Sequence, residues 1–463
     1  MLGFDLHPAP TMEPQKFTIA VDSDHKATEF RLFSLSSPHM RAFHLAWLSL
    51  FSCFFATFSI PPLLPIIRED LNLSPSDVGT AGTAAFAGSI ISRLVMGPAC
   101  DLFGPRLASA TLSLLTAPVL LSAAFVSSPF SFILLRFFVG FSLANFVANQ
   151  FWMSSMFSGC TVGLANGVAA GWANVGSGLT QLVMPIIFSL LNNNFGLTRS
   201  ASWRVAFVVP SAFQAVMALM VLAYGQDLPD GNYKRIQKHE KDSEDNAIGV
   251  FLNGITNYRG WVLGLTYGYC FGVELTMDNI IAEYFYDRFG VNMETAGVIA
   301  ASFGFANWVS RPTGGVVSDK LGKRFGMKGR LWGLWVVQTV AGLLCLWLGQ
   351  VNTLWGSVMV MCAFSFFVQA ASGLTFGVVP FVSKRSMGVI SGMTGSGGTV
   401  GAVVTQLLLF SGSNKFPTQT GISLMGVMML VSTLSVTTIY FPQWGGMFCG
   451  PNSSDHQSYQ LLA

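Results

Sequence analysis

The stretch ISRLVMGPACDLFGPR at residues 91–106 returns at residues 309–324 as VSRPTGGVVSDKLGKR. Arg93, Gly97, Asp101, Gly104 and Arg106 fall on Arg311, Gly315, Asp319, Gly322 and Arg324, each displaced by 218 positions (311 − 93). In both copies an apolar run ends in a short turn made of Gly, Asp and basic residues. A second pair keeps the same order. NVGSGLTQ at 174–181 matches TVGAVVTQ at 399–406, and Gly163 and Gly167 fall on Gly388 and Gly392, all displaced by 225 (399 − 174). Two landmarks in the same order in each half mark a duplicated unit.

Composition says what the unit is made of. Only 10% of the 463 residues are Asp, Glu, Lys or Arg, against roughly 25% in a soluble protein. Hydrophobic residues make up 51%, with 40 Phe, and the mean hydropathy is +0.54. So few charges cannot cover a surface that faces water, so the chain has hydrocarbon as its second solvent. A net charge of +3 with scattered basic residues leaves no basic face for nucleic acid. The seven Cys form no C-x-x-C pair and lie mostly in apolar runs, and the six His lie outside those runs or at their edges. That pattern excludes a disulfide frame, a metal site and a histidine relay. With no nucleophile–base constellation and no nucleotide loop, an enzyme and a bound cofactor are both unexpected.

Apolar segments recur near 42–62, 79–100, 107–127, 130–153, 162–190 and 203–224, then 258–278, 295–318, 331–349, 354–380, 387–411 and 421–441. Each is long enough to cross about 30 Å of hydrocarbon as a helix, and none alternates with period two as a barrel strand does. The expectation is an all-α membrane protein of twelve transmembrane helices in two six-helix bundles, 42–224 and 258–441. A tail at 1–41, a hydrophilic linker at 225–257 and a tail at 442–463 complete it. The first forty residues hold no secretory signal, and Met12 offers a second start. Basic residues concentrate at Arg106, Lys234, Arg235, Lys238, Lys241, Lys320, Lys323, Arg324, Lys328, Arg330, Lys384 and Arg385. The other side holds Arg68, Arg199, Arg204, Arg288 and Lys415. The positive-inside rule then puts both termini in the cytoplasm.

Few ionisable residues lie deep in these segments: Arg93, Arg136, Glu274, Asp278 and Arg311. A central Arg costs on the order of 3 kcal/mol to insert and normally faces a cavity or a partner. Arg93 and Arg311 hold equivalent places in spans 2 and 8, so the duplication brings them face to face. No acid occurs in span 2 or in the buried part of span 8, so the missing counter-charge is read as the substrate; snorkelling or pairing to carbonyls is the plain alternative. Arg offers a planar fork for planar oxoanions and keeps its proton. A small planar monoanion such as nitrate or nitrite fits two such forks. Phe146, Tyr267 and Tyr269 lie near this depth, and Asn174 and Thr399 sit at matched positions. Glu274 is read as a proton carrier or as the partner of a structural Arg such as Arg136. Asp101, Arg106, Asp319 and Arg324 are read as latches that shut the cytoplasmic side. Glycines four apart let helices 5 and 11 approach closely and slide.

At these residues the chain resembles the nitrate/nitrite porters of the major facilitator superfamily, and the plant high-affinity nitrate transporters in particular. AGWANVG at 170–176 and SGMTGSGGTVG at 391–401 are similar to that family's two signature segments, with Gly171, Gly176, Gly397 and Gly401 as the signature glycines. The resemblance implies nitrate held by Arg93 and Arg311, with Phe146, Tyr267 and Asn174 as neighbours. It also implies proton symport by alternating access, so nitrate, protons and the bilayer are the expected partners. Trp172-Ala173-Asn174 and the short tail are similar to the vacuolar-membrane, seed-type branch, with the plasma membrane as the alternative. Ala173 stands where the family commonly has Gly. These departures weigh against the small single-span accessory protein that many relatives need. Rival readings are a carrier of another small anion and a nitrate receptor with little transport.

Overall fold

The computed structural model describes residues 17–232, 247–291, 293–410 and 416–451. The first sixteen residues, the linker cations Lys234, Arg235, Lys238 and Lys241, Lys415 and the Gln460-Leu461-Leu462 end lie outside the described residues.

Twelve helical spans run through the described residues. Among the described residues, nine helical runs are long and apolar enough to traverse a bilayer. One of them, Thr295–Leu348, crosses twice because it folds back at Gly326 (φ 63°, ψ −151°). Spans 7 and 11 stand outside the nine. Span 7 is broken at Tyr269 and Cys270 into Tyr258–Gly268 and Phe271–Phe289, and span 11, Met387–Leu409, carries six glycines. Local signals start the helices. Ser74 and Asp77 form a capping box ahead of span 2 (Pro75–Phe103), and Ser128 and Ser131 do the same for span 4, which opens at Pro129; both satisfy backbone N–H groups that a helix start leaves orphaned.

The two copies of the Gly-Asp turn are not built alike. Gly104 (φ 83°) ends span 2, and Pro105 at once begins span 3 (Pro105–Leu121). The matching Gly322 stays helical, and the reversal falls four residues later at Gly326. Gly322 is small for a different reason: a Cβ there would lie 2.5 Å from Nε of Arg330. The expectation of a turn at both matched glycines is corrected accordingly.

The halves meet along two helix pairs. Span 5 (Val162–Ser189) lies against span 8, and span 11 lies against span 2. Glycines set both distances. A Cβ on Gly167 would stand 2.6 Å from the carbonyl oxygen of Arg311, one on Gly171 2.6 Å from that of Asn307, and one on Gly392 2.8 Å from that of Arg93. Helices 5 and 11 therefore each approach a helix of the opposite half, as small residues at four-residue spacing allow. The signature glycines divide: Gly171 packs across the halves, Gly176 against span 1, and Gly397 and Gly401 against span 7. The outer surface is apolar, with Phe125, Phe130, Trp355 and Met359 exposed, as lipid contact requires.

The expected linker and N-terminal tail both contain ordered segments. Within the expected linker 225–257, Ala247–Ile255 is an apolar helix, and Ser386 Oγ donates to the Val250 carbonyl 2.7 Å away. Within the expected tail 1–41, Ala27 is fully buried, pairs with Phe157 and accepts from Ser158 N and Thr161 Oγ1.

Replacing Gly167 by Ala is expected to destabilise the protein by about 1–3 kcal/mol through overpacking. Gly82, whose Cβ would meet nothing within 4 Å, is expected to gain roughly 0.5–1 kcal/mol on the same change. Thiol-dye melting of the purified variants, reading the seven free cysteines, compares the two.

Candidate functional site

Arg93 and Arg311 converge at the middle of the interface between the halves, each 1% exposed. Arg93 donates through Nη1 to the Gly395 carbonyl (2.6 Å) and to Thr399 Oγ1 (2.9 Å), both on span 11, and through Nε to the Leu143 carbonyl (3.3 Å). Its guanidinium also stands over Phe146 (5.4 Å to the ring centroid) and Phe271 (5.7 Å). Arg311 stands over Phe271 at 5.0 Å. One aromatic ring is thus shared by both cations, a favourable cation–π arrangement for each.

Arg311 has a carboxylate. Its Nη2 donates to Glu274 Oε2 at 2.8 Å, and Asn307 Nδ2 donates to Glu274 Oε1 at 2.5 Å. Glu274 is 2% exposed. The expectation that no acid offsets the two arginines is therefore corrected: the counter-charge for Arg311 comes from span 7, brought across by the break at Tyr269 and Cys270. Arg136 is not that partner, since its Nη1 donates to the Thr57 carbonyl at 3.4 Å. Asp278, one turn beyond Glu274, is exposed.

Aromatic rings surround the two guanidiniums. Phe271 lies near-parallel to Tyr267 (5.1 Å, 17°) and to Phe146 (6.2 Å, 7°), while Phe376 meets Phe146 and Tyr267 edge-on at 5.1 Å. Tyr269 is half-buried and outside this group of rings. Several buried polar atoms have no partner: the Tyr267 hydroxyl, Asn174 Nδ2 and Arg311 Nε. Unpaired buried donors are costly, and a free Arg311 Nε with the Tyr267 hydroxyl in the same group of rings is suited to an anion. The matched pair Asn174 and Thr399 is used unequally, because Thr399 already accepts from Arg93. Sequence reading missed Phe271, Phe376, Asn307 and Gly395. Asn307 was within reach as the residue four before Arg311, hence on the same helix face.

The two duplicated aspartates close one end of the bundle. Asp101 accepts from Gly388 N and Val389 N, both at 2.9 Å. Asp319 accepts from Gly163 N (3.0 Å) and Leu164 N (2.7 Å). Each carboxylate caps the first turn of a helix belonging to the opposite half, where free N–H groups and the helix dipole favour an anion. The basic members differ from expectation. Arg106 donates to the Val221 and Leu222 carbonyls of its own half, and Arg324 rests on Phe325 at 5.2 Å. Arg330 reaches Asp319 instead, at 3.0 Å, and also donates to the Gly159 and Gly377 carbonyls. Asp101→Asn and Asp319→Asn are each expected to loosen this end. A charge-assisted bond of about 1.5–3 kcal/mol lost at one latch shifts the open population at least tenfold. Maleimide labelling of the buried Cys100, read by peptide mass spectrometry, measures the shift.

A family model described as Major Facilitator Superfamily matches residues 46–405. The chain is 66% identical to "High affinity nitrate transporter 2.7" of Arabidopsis thaliana, over 95% of this chain and 91% of that protein. It is 44% identical to "Nitrate transporter 2.2" of Chlamydomonas reinhardtii, over 96% and 88%. Among solved structures it resembles the E. coli fucose:proton symporter, with a TM-score of 0.65 over 86% of this chain and 98% of that one, at 14% identity. The human organic anion transporter MFSD10 gives 0.60 over 86% and 99%, also at 14% identity; these two likenesses speak for the fold alone. Duplicated bundles, inter-half glycines and full-length kinship together establish that this chain belongs to the major facilitator superfamily and, within it, to the high-affinity nitrate transporter family of plants.

Proposed function

We propose that this protein is a secondary active transporter of nitrate that holds the anion between Arg93 and Arg311 and couples its movement to a proton on Glu274. The observation that carries the reading is the pairing of Glu274 with one of two converging guanidiniums, next to donors that lack partners.

With Glu274 ionised, the pocket holds two cations and one carboxylate, a surplus of one positive charge. A planar monoanion cancels that surplus and meets unpaired donors. Thr399 and Glu274 occupy arms of the two forks, so nitrate competes with them. When nitrate takes the Arg311 fork, Glu274 is left buried without its partner, at a cost of about 3–5 kcal/mol. A proton removes that cost, and the site then carries two guanidiniums against one nitrate, the same net charge as before entry. Nitrate entry and protonation therefore favour each other, and by linkage each raises the affinity for the other equally. Opening and closing of the Asp101 and Asp319 latches then exposes the pocket to alternate sides. The end carrying the latches is the cytoplasmic one in this reading, with both termini there, and the vacuolar membrane is the proposed location on the strength of the Trp172-Ala173-Asn174 likeness. A fluorescent fusion in plant cells checks the location. Purified protein is expected to transport without an accessory subunit.

The test is labelled-nitrate flux in proteoliposomes with pH and voltage controlled. Arg93→Lys and Arg311→Lys should insert normally and raise the half-saturating nitrate concentration roughly 10–100-fold, since an ammonium cannot make the paired bonds. Normal saturable uptake by either variant would remove the site assignment. Glu274→Gln should keep nitrate exchange while losing uphill uptake driven by acid. Unchanged acid-driven accumulation in that variant would end the proton proposal and leave nitrate binding standing. Nitrate binding without flux in the wild type would instead support a receptor.

A further inference from the structure

Where span 8 reverses into span 9, the outer wall of the bundle carries a groove of about 460 Å³ lined by Val317, Leu321, Phe325, Lys328, Trp332 and Val336, among others. Lys328 is the one charged residue in its lining, and the rest of the lining is apolar or Gly. The size lies in the range of small-molecule sites, roughly 300–1,000 Å³. The groove opens outward, on the lipid-facing surface, and Phe325 and Val336 are exposed along it.

Its rim is strongly basic. Arg324 lies over Phe325, a lining residue, at 5.2 Å. Lys320 and Arg324 are one helical turn apart, Lys323 lies between them, and all three are exposed along with Lys328. None of the four has a carboxylate partner among the described residues. The nearest acid in sequence, Asp319, is already engaged by Arg330, Gly163 N and Leu164 N. The duplicated turn in the first half keeps only Arg106, and that residue is spent on carbonyls of its own bundle. The four unpaired cations are thus a property of this turn alone, and the latch on Asp319 does not use them.

We propose that this groove and its basic rim form a binding site for an anionic phospholipid of the leaflet at the latch end. One acyl chain lies in the groove along Val317, Leu321, Trp332 and Val336, and the headgroup phosphate is held by Lys328 and Arg324, with Lys320 and Lys323 adding field. The charge complementarity is what selects the occupant: an apolar slot accepts any acyl chain, whereas four unneutralised cations at a membrane surface favour a negative headgroup. The backbone of this groove also carries Arg330 toward Asp319, so a bound lipid braces the latch from outside. This proposal does not depend on nitrate or on the proton.

The experiment is native mass spectrometry of the full chain released from micelles after incubation with phosphatidylglycerol or phosphatidylcholine of the same acyl composition. The wild type is expected to retain phosphatidylglycerol preferentially. Removing each cation should lower that preference about fivefold, the factor matching ~1 kcal/mol per basic side chain at an anionic surface. K320Q/K323Q/R324Q/K328Q should therefore abolish it, and K320R/K323R/K328R should keep it. V336W, which fills the groove from its open side, should reduce retention of both lipids. Glycerol phosphate should not displace the bound lipid, since it carries the headgroup without the chain. Preference that survives in the Gln variant overturns the proposal. So does retention unaffected by V336W, or displacement by glycerol phosphate, because either result means a diffuse attraction for anions without a seat for the chain. Failure of the Arg variant to retain the preference also overturns it.

Discussion

An arginine in hydrocarbon must be answered by something, and this molecule answers its two central ones differently. Arg93 is satisfied by carbonyls and one hydroxyl, which accept its bonds without cancelling its charge. Arg311 is paired with Glu274, which does cancel its charge, although its Nε keeps no partner. The asymmetry leaves a single surplus positive charge among the rings of Phe146, Tyr267, Phe271 and Phe376. A buried ion pair contributes little net stability, yet removing one partner is expensive. In the proposed transport cycle the Arg311–Glu274 pair serves poorly as a fastener and well as a contact that a competing anion and a proton can exchange.

The two arginines meet there only because the helices around them come unusually close. Glycines at 163, 167, 171, 388 and 392 bring backbone against backbone across the halves, and Gly397 and Gly401 do the same against span 7. Lipid offers no hydrophobic drive for such packing, so close van der Waals fit and polar contacts must supply it. At one end the polar contacts are the two aspartates, each capping a helix of the opposite half. In the proposed alternating access those caps have a useful feature. They engage backbone N–H groups, which water can satisfy equally when the end opens, so the closed state gains without making the open state prohibitively poor.

The duplication supplied equivalent positions in the two halves, and the structure shows where the copies diverged. Gly104 and Gly322 match in sequence, but only Gly104 turns the chain. Gly322 has become the space into which Arg330 fits, and Arg330 gives Asp319 a cation that Asp101 lacks. Thr399 binds Arg93, while its counterpart Asn174 keeps a free amide. Glu274 interrupts the symmetry most, since it serves one arginine and leaves the other charged.

The residues alone determined the twelve helices, the pairing of the halves and the two arginines. Hydrophobic length, repeat spacing and charge scarcity are properties that each segment carries by itself, and they translate directly into spans and equivalent positions. The Asn307 and Arg311 spacing on one helix was of the same kind. Which helices become neighbours is another matter. That Glu274 meets Arg311 rather than Arg136, that Phe271 sits between two guanidiniums, that Arg330 takes the place expected of Arg324, and that Ala247–Ile255 docks as a helix all follow from inter-helix docking and the break in span 7. Those contacts join residues tens to hundreds of positions apart, and only the folded bundle fixes the distances on which electrostatic pairing depends.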